Sequence, residues 1–460
     1  MNKHTYRTIE VQSHAARQLI ATLKTAGPAQ LTIGIDVAKH KMVAAITPNH
    51  GAVAGSIKWQ QPEQTAAFLQ FVDALRAACP ATAVAMEPTG TYGDALRQQL
   101  VERDVPVHMV ACGAVKRASE LYDGVPTKHD AKDAAVIAWL HGHGKSRAWV
   151  PLSAERRDLR ALLRMRELHA DTISAAGNQL GALLAAAFPE LANVLNVQRR
   201  PSVWKLLAQY PTPQVITANA DAVRQLLHTA STGRFDGKID DVLAAARHST
   251  GLPLSPVEAQ LIAQYAAMLV TAAAQQKQLD SRIADELAKQ PACQPVIAVL
   301  GNLATATVIA EVGSPSNYAT SNALQKACGL NLRESSSGTH QGKLHITKRG
   351  PAAVRHLLAL AAIRLIQRDA VVRHWYQTRT QYRAGNRMPA VVAVMRKLVK
   401  ALPHLARGAF FDPRRLFDAT SFPPQLRQPS QTPTATVDAI DDAFEISAAN
   451  MVAELTADCA

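Results

Sequence analysis

Four acidic residues stand where short apolar runs end or where a helix should begin. They are Asp36 in IGIDVAKHK, Glu87 in VAMEPTGTY, and Asp130 with Asp133 in KHDAKDAA. The i, i+3 spacing of the last two puts both carboxylates on one helix face. Carboxylates in close contact repel one another, so a cluster of four implies a metal. An all-oxygen donor set suits a hard cation, Mg2+, with Mn2+ able to substitute. Two such ions about 3.5–4 Å apart neutralise a scissile phosphate and hold the attacking and leaving oxygens in line. The expected chemistry is phosphodiester cleavage, with Asp36, Glu87, Asp130 and Asp133 as the catalytic and metal-binding acids. Each acid alone has a plainer reading. An Asp after a strand is commonly a turn residue or a cap, Asp130 could be the N-cap of its helix, and Asp133 a favourable first-turn charge. Lys128 and Lys132 flank the aspartates, either to contact phosphate or as solvated charges.

A second group lies far along the chain, in GLNLRESSSGTHQGKLHITKRGPAAVRHLLALAAIRL. Ser336 and Ser337 precede Gly338 in a stretch without apolar periodicity. A serine in a mobile basic loop can attack a phosphodiester once a base, a metal or bound cations activate it. Ser-Ser-Ser-Gly is also ordinary linker composition. Lys343, Lys348, Arg349 and Arg355 follow as candidate nucleic-acid contacts. Further on, Arg373, Trp375, Tyr376, Arg379, Tyr382, Arg383 and Arg387 interleave cations with aromatics, as a backbone-tracking nucleic-acid surface does. Trp375 and Tyr376 could instead be core. Just upstream, residues 293–313 read as an apolar helix, a glycine turn and a small-residue helix. That is either a helix-hairpin-helix offering amides to a phosphate or a packed αα-hairpin.

Elements must bring these residues together. Strands are predicted at 31–37, 41–47, 55–59, 81–86 and 105–110, and helices at 61–78, 91–102 and 130–140. A three-strand meander followed by two strand–helix units predicts a five-stranded mixed sheet, the ribonuclease H-like arrangement, in which the first and fourth strands are neighbours. Asp36 and Glu87 would then sit at one sheet edge beside the start of the last helix. From about Ser153 the period becomes helical, with Leu159, Leu162, Leu163, Met165 and Leu168 as a stripe. A second long helix is predicted from Ser255 to Lys289, pairing with the first as an antiparallel or intermolecular coiled coil. The expected division is an N-terminal extension over 1–28, a catalytic α/β domain over 29–150, a coiled-coil linker over 151–292 with a helical insert at 200–251, a mostly helical domain over 293–405 carrying the serines, and a largely disordered tail over 406–460.

Bulk properties bound the partners. The chain has 460 residues, enough for two or three domains, and 48% are hydrophobic. A net charge of +14 and a pI near 9.7 favour polyanionic partners. No run of eighteen apolar residues occurs, and the first residues lack a signal's apolar stretch, so neither a membrane nor secretion is expected. Five scattered cysteines without a CxxC pair argue against disulfides and zinc and for a reducing cytoplasm.

Together these segments resemble the DEDD-type insertion-sequence transposases, the bridge-RNA-guided serine recombinases. The resemblance spans about residues 30–405 and rests on IGIDVAKHK, MEPTGTY, DGVPTKHDAKDAAVIA, the LGNL hairpin and ACGLNLRESSSGTHQGKLHITKRG. It implies a Holliday-junction-resolvase-like N-terminal domain, a coiled-coil linker and a C-terminal transposase domain. It implies Asp36, Glu87, Asp130 and Asp133 as metal ligands, and a nucleophilic serine at Ser336 or Ser337, with Ser337, next to Gly338, favoured. It further implies a covalent protein–DNA intermediate at a composite site, donor and target double-stranded DNA as partners, a structured guide RNA, homodimers and tetramers, and a bacterial, nucleoid-associated location. Two other readings compete: a Mg2+-dependent junction-resolvase-type endonuclease in which the serine is incidental, and a non-catalytic nucleic-acid-binding protein.

Overall fold

The computed structural model describes residues 6–427 except 199, 335, 338–341, 343, 382–386 and 419–421. It divides into two compact units, Met1–Leu152 and Ser153–Ala460.

The first unit runs β1 (Thr8–Glu10), α1 (His14–Ala26), β2 (Leu31–Asp36), β3 (Lys41–Pro48), β4 (Gly55–Gln60), α2 (Thr65–Ala78), β5 (Thr82–Met86), α3 (Asp94–Val101), β6 (Val107–Val110), α4 (Cys112–Asp123), α5 (Asp130–Gly142) and β7 (Ser146–Ala148). The sheet order is β1-β4-β3-β2-β5-β6-β7. The antiparallel meander β2-β3-β4 and the parallel neighbours β2, β5 and β6 form as predicted. The sheet has seven strands rather than five, because three-residue edges β1 and β7 are added. Residues of the first 28 join the core: Val11, Ala16 and Leu23 are buried against the sheet and α2.

Alternation along the strands separates two faces. Ile33, Ile35, Met42, Ala44 and Ile46 pack with Phe68, Phe71 and Leu75 of α2. On the other face Val43 and Ala45 meet Ala131, Ala134 and Ala135 of α5. Small residues let α5 lie directly on the strands. A Cβ on Gly34 would stand 2.2 Å from the Ala134 carbonyl oxygen, so only glycine permits this approach.

The second unit is mostly helical. It comprises α6 (Ala154–Ala187), α7 (Leu191–Val194), α8 (Pro201–Gln209), α9 (Pro213–Ala218), α10 (Ala220–Ser231), α11 (Asp236–Arg247), α12 (Pro256–Ala288), α13 (Gln294–Leu300), α14 (Asn302–Val312), α15 (Ser321–Ala327), the strands β8 (Leu332–Arg333) and β9 (His345–Ile346), then α16 (Ala352–Arg368), α17 (Ala370–Thr380), α18 (Met388–Leu405) and α19 (Pro424–Arg427). The long helices α6 and α12 run antiparallel. Leu159 and Leu162 meet Leu279, Ile283 and Leu287, while Leu180 and Leu184 meet Ile262 and Leu269. Arg166 pairs with Asp280 at 2.6 Å across them. The predicted stripe ends early: Met165 and Leu168 are 40% and 63% exposed. By length and composition α12 could cross a membrane. Its buried residues face α6 and the insert α7–α11.

The α13–α14 hairpin forms around Gly301, and of the residues of α14 only Asn302, at the turn, is exposed. Helices α16 and α18 enclose the largest core cluster with Leu300, Ala304, Val308 and Leu324.

Candidate active site

The carboxylates come from three elements of the first unit. Asp36 is the last residue of β2, and Glu87 directly follows β5, its parallel neighbour. Asp130 and Asp133 occupy the first turn of α5. The N-cap there is His129, whose Nδ1 accepts from the Ala131 amide at 3.2 Å, so Asp130 is not the cap. Close contact of α5 with Gly34 carries this first turn to the end of β2.

The four acids share one electrostatic environment. Burial first, then Asp133, Asp130 and Glu87, push the Asp36 carboxyl up to about 6. Burial also raises Glu87, with Asp133 adding to it, and the Cys112 thiol and Thr89 side chain oppose this by hydrogen bonding. Asp133 is raised by burial and by Asp130. Lys128 is exposed and its charge lowers all three. Asp130 is half exposed and pairs with Lys41 at 3.7 Å. Cys112, at the start of α4, is a site neighbour that no sequence signal marked. As they stand, no three His, Cys, Asp or Glu side chains among the described residues are gathered tightly enough to hold a metal ion. The donor chemistry of the four acids nevertheless fits a hard cation: their donors are all carboxylate oxygens, and their mutual repulsion is what a cation would relieve.

The serine segment belongs to the second unit. Strands β8 and β9 pair antiparallel, Leu332 with Ile346 and Arg333 with His345, and hold the ends of the loop between them. Below them the chain crosses itself. A Cβ on Gly350 would lie 2.6 Å from the Ala327 carbonyl oxygen and from the Gly329 nitrogen. Thr347 bonds Asn331 at 2.6 Å beside this crossing. Ser336 and Ser337 are both exposed. The Ser336 hydroxyl donates to the Glu334 carboxylate and accepts from the Gly342 amide at 3.0 Å.

Comparison with known proteins follows this division. A DEDD transposase family model, described as "Transposase", matches residues 33–189, and one described as "Transposase IS116/IS110/IS902 family" matches residues 296–377. The first takes in all four acids and the second both serines. The chain belongs to the IS110 family of transposases. It is also 25% identical over 314 residues to the "Insertion element IS110 uncharacterized 43.6 kDa protein" of Streptomyces coelicolor, covering 65% of this chain and 76% of the relative. Members of a transposase family cleave and transfer DNA, and this chain is an enzyme of that broad class.

Within this IS110-family chain two expected phosphate contacts are structural instead. Lys132 is 0% exposed. Its ammonium pairs with Asp123 at 2.7 Å and donates to the Val125 carbonyl. Tyr6 adds a 2.6 Å bond to the same Asp123. Arg355 is 8% exposed, and its guanidinium donates to the Gly350 carbonyl at 2.6 Å. Both cations are buried against backbone carbonyls, and Lys132 against a carboxylate as well. Arg349 is exposed, and Lys348 is half-buried beside the Gly329–Gly350 crossing, its amide bonded to the Gly329 carbonyl at 3.0 Å. Lys343 lies outside the described residues, as do Tyr382, Arg383 and all of the tail beyond 427.

Proposed function

We propose that this transposase cuts and rejoins DNA with a serine nucleophile and a Mg2+-binding acid cluster. The observation that carries this reading is the convergence of Asp36, Glu87, Asp130 and Asp133 from three elements into one electrostatic environment. The inner strand order and the crossing of α5 support a ribonuclease H-like catalytic domain. Asp36, Glu87, Asp130 and Asp133 would hold the metal, which supplies charge neutralisation at the scissile phosphate. Holding it requires the carboxylates to close up from their present spacing. Lys128, exposed beside the acids, would meet the phosphate.

The serine supplies the covalent step. Its hydroxyl loses a proton to a base, its oxygen bonds to phosphorus, and the leaving strand oxygen departs. Ser336 and Ser337 are both candidates. The contact of Ser336 with Glu334 favours Ser336, since a carboxylate within hydrogen-bond reach is what an activated hydroxyl needs. The acids and the serine would each act on donor and target DNA, directed by a structured guide RNA. Exposed Met165 and Leu168 on α6 leave apolar surface for a second copy, in keeping with a coiled-coil dimer and a tetramer during exchange. The site of action would be the bacterial cytoplasm, at the nucleoid.

The test uses the purified chain, Mg2+, guide RNA and DNA carrying the element junction. Site-specific strand cleavage should require the cation and vanish in Asp36→Asn and Glu87→Gln. Cleavage that persists in both variants would remove the acid cluster from the reaction.

A further inference from the structure

A cavity of about 690 Å³ opens in the second unit between α17, α18 and the segment after α18. Its charge is one-sided. Arg379, Arg396, Lys397, Lys400 and Arg415 all line it. The one carboxylate of the lining, Asp412, is already held by Arg414 through two bonds of 2.8 Å. Among the described residues none of the five cations is in an ion pair. Arg396 and Lys397 donate to backbone carbonyls, of Leu330 at 3.0 Å and Leu416 at 2.5 Å. Arg379, Lys400 and Arg415 are exposed. Burial, then Lys400, Arg379 and Arg396, hold the Lys397 ammonium below its usual range. Positive charge gathered this way without counter-charge favours an anion.

The cavity is also aromatic. Trp375 lines it with the Arg379 guanidinium 5.2 Å from its ring centre. Phe410, also part of the lining, is 89% exposed, the largest exposure among the large hydrophobic side chains described. A planar, partly polar ligand would cover both. The volume falls within the roughly 300–1,000 Å³ of small-ligand pockets. A duplex presents phosphates from a convex surface and keeps its bases stacked, so a concave aromatic pocket suits a base that has left the stack.

The geometry points to a pocket for one unstacked nucleotide of a nucleic-acid strand, its base against Phe410 and Trp375 and its phosphate among Arg379, Lys397 and Lys400. This rests on the nucleic-acid reading above and adds what neither the acids nor the serines supply, a hold on a strand that has been opened. DNA and RNA strands share this chemistry.

The test is equilibrium binding of the full chain to a short single strand carrying a central 2-aminopurine, made once as DNA and once as RNA. At least one of the two should bind with its fluorescence quenched. Phe410→Ala should abolish the quenching and weaken binding about tenfold. Lys400→Ala should weaken binding and lower the salt slope by about 0.7. Both side chains are exposed, so neither change should alter the melting temperature. Wild-type affinity and quenching in both variants would overturn the proposal, and wild-type cleavage of junction DNA, run in parallel, would show whether the transposase reading survives it. The acidic segment beyond residue 427 is the rival occupant. If the variants lost affinity only for a peptide of residues 428–460 and kept it for both strands, the pocket would belong to that segment and the proposal would fall.

Discussion

The acids and the serines are held by opposite means. The carboxylates sit on the ends of buried strands and the first turn of a helix pressed onto the sheet at Gly34, and their crowding costs free energy. The serines sit in an exposed loop whose ends are held by a two-residue strand pair and the Gly329–Gly350 crossing, with Ser336 bonded within the loop to Glu334 and Gly342. One arrangement fixes several charges against their own repulsion, as metal catalysis requires. The other would leave the proposed nucleophile within reach of a phosphate.

The comparison breaks most visibly in the chemistry. Asp36→Asn should reduce cleavage by about 10³-fold or more, because it removes a ligand and its charge. The same change relieves burial of a charge, so at neutral pH without divalent cation the variant should be more stable than the wild type by about 1 kcal/mol, a gain that fades as pH falls from about 6 toward 3.8. Melting measured with and without Mg2+ checks the sign. A variant less stable than the wild type in the absence of cation would show that the cluster is not strained.

Next in size is the support behind the acids. Lys132→Ala leaves Asp123 without its buried partner and should destabilise the first unit by about 3 kcal/mol or more. Asp123 itself is held down to about 2, chiefly by its bond from Lys132 and then by Tyr6. A depressed carboxylate stabilises the fold above its ordinary value near 3.8 and loses that contribution as pH falls toward 2. Acid unfolding of the wild type in that window should therefore be shallower in Lys132→Ala, as pH-dependent melting would show.

Gly34→Ala should cost about 3 kcal/mol, since α5 must move off β2. Cleavage should fall with it, because the moving helix carries Asp130 and Asp133. Normal melting and normal cleavage in this variant would mean that the close approach positions nothing. The smallest expected effect lies in the loop. Glu334→Gln should slow the covalent step by about 10²-fold, as loss of a general base does, with melting unchanged. An unaltered rate would shift the nucleophile from Ser336 to Ser337.

The acids were legible in the sequence because strand ends carry local signals. Asp36 ends a β-branched run, Glu87 follows a short apolar run, and the i, i+3 pair follows a Gly-Val-Pro turn. Edges β1 and β7 are three residues each, too short to show alternation. Helix α4 buries only Val115 and Ala118, so its stripe is faint, and Cys112 went unmarked with it. Lys132 reads as a surface lysine because its partners, Asp123 and Val125, reach it only after α4 and α5 fold together. Arg355 misleads for the same reason, its acceptor being a carbonyl at a chain crossing. Charge is written in the sequence, but the carbonyl or carboxylate that neutralises it is set by tertiary packing.

The most direct test of a serine in the reaction is the bond it would make. The full chain, Mg2+, junction and target DNA and guide RNA should yield a protein–DNA adduct that survives denaturation. The account predicts this adduct in the wild type and its loss in the Ser336→Ala/Ser337→Ala double variant, with DNA binding retained. Strand cleavage without any adduct, or an adduct that persists in the double variant, would contradict it.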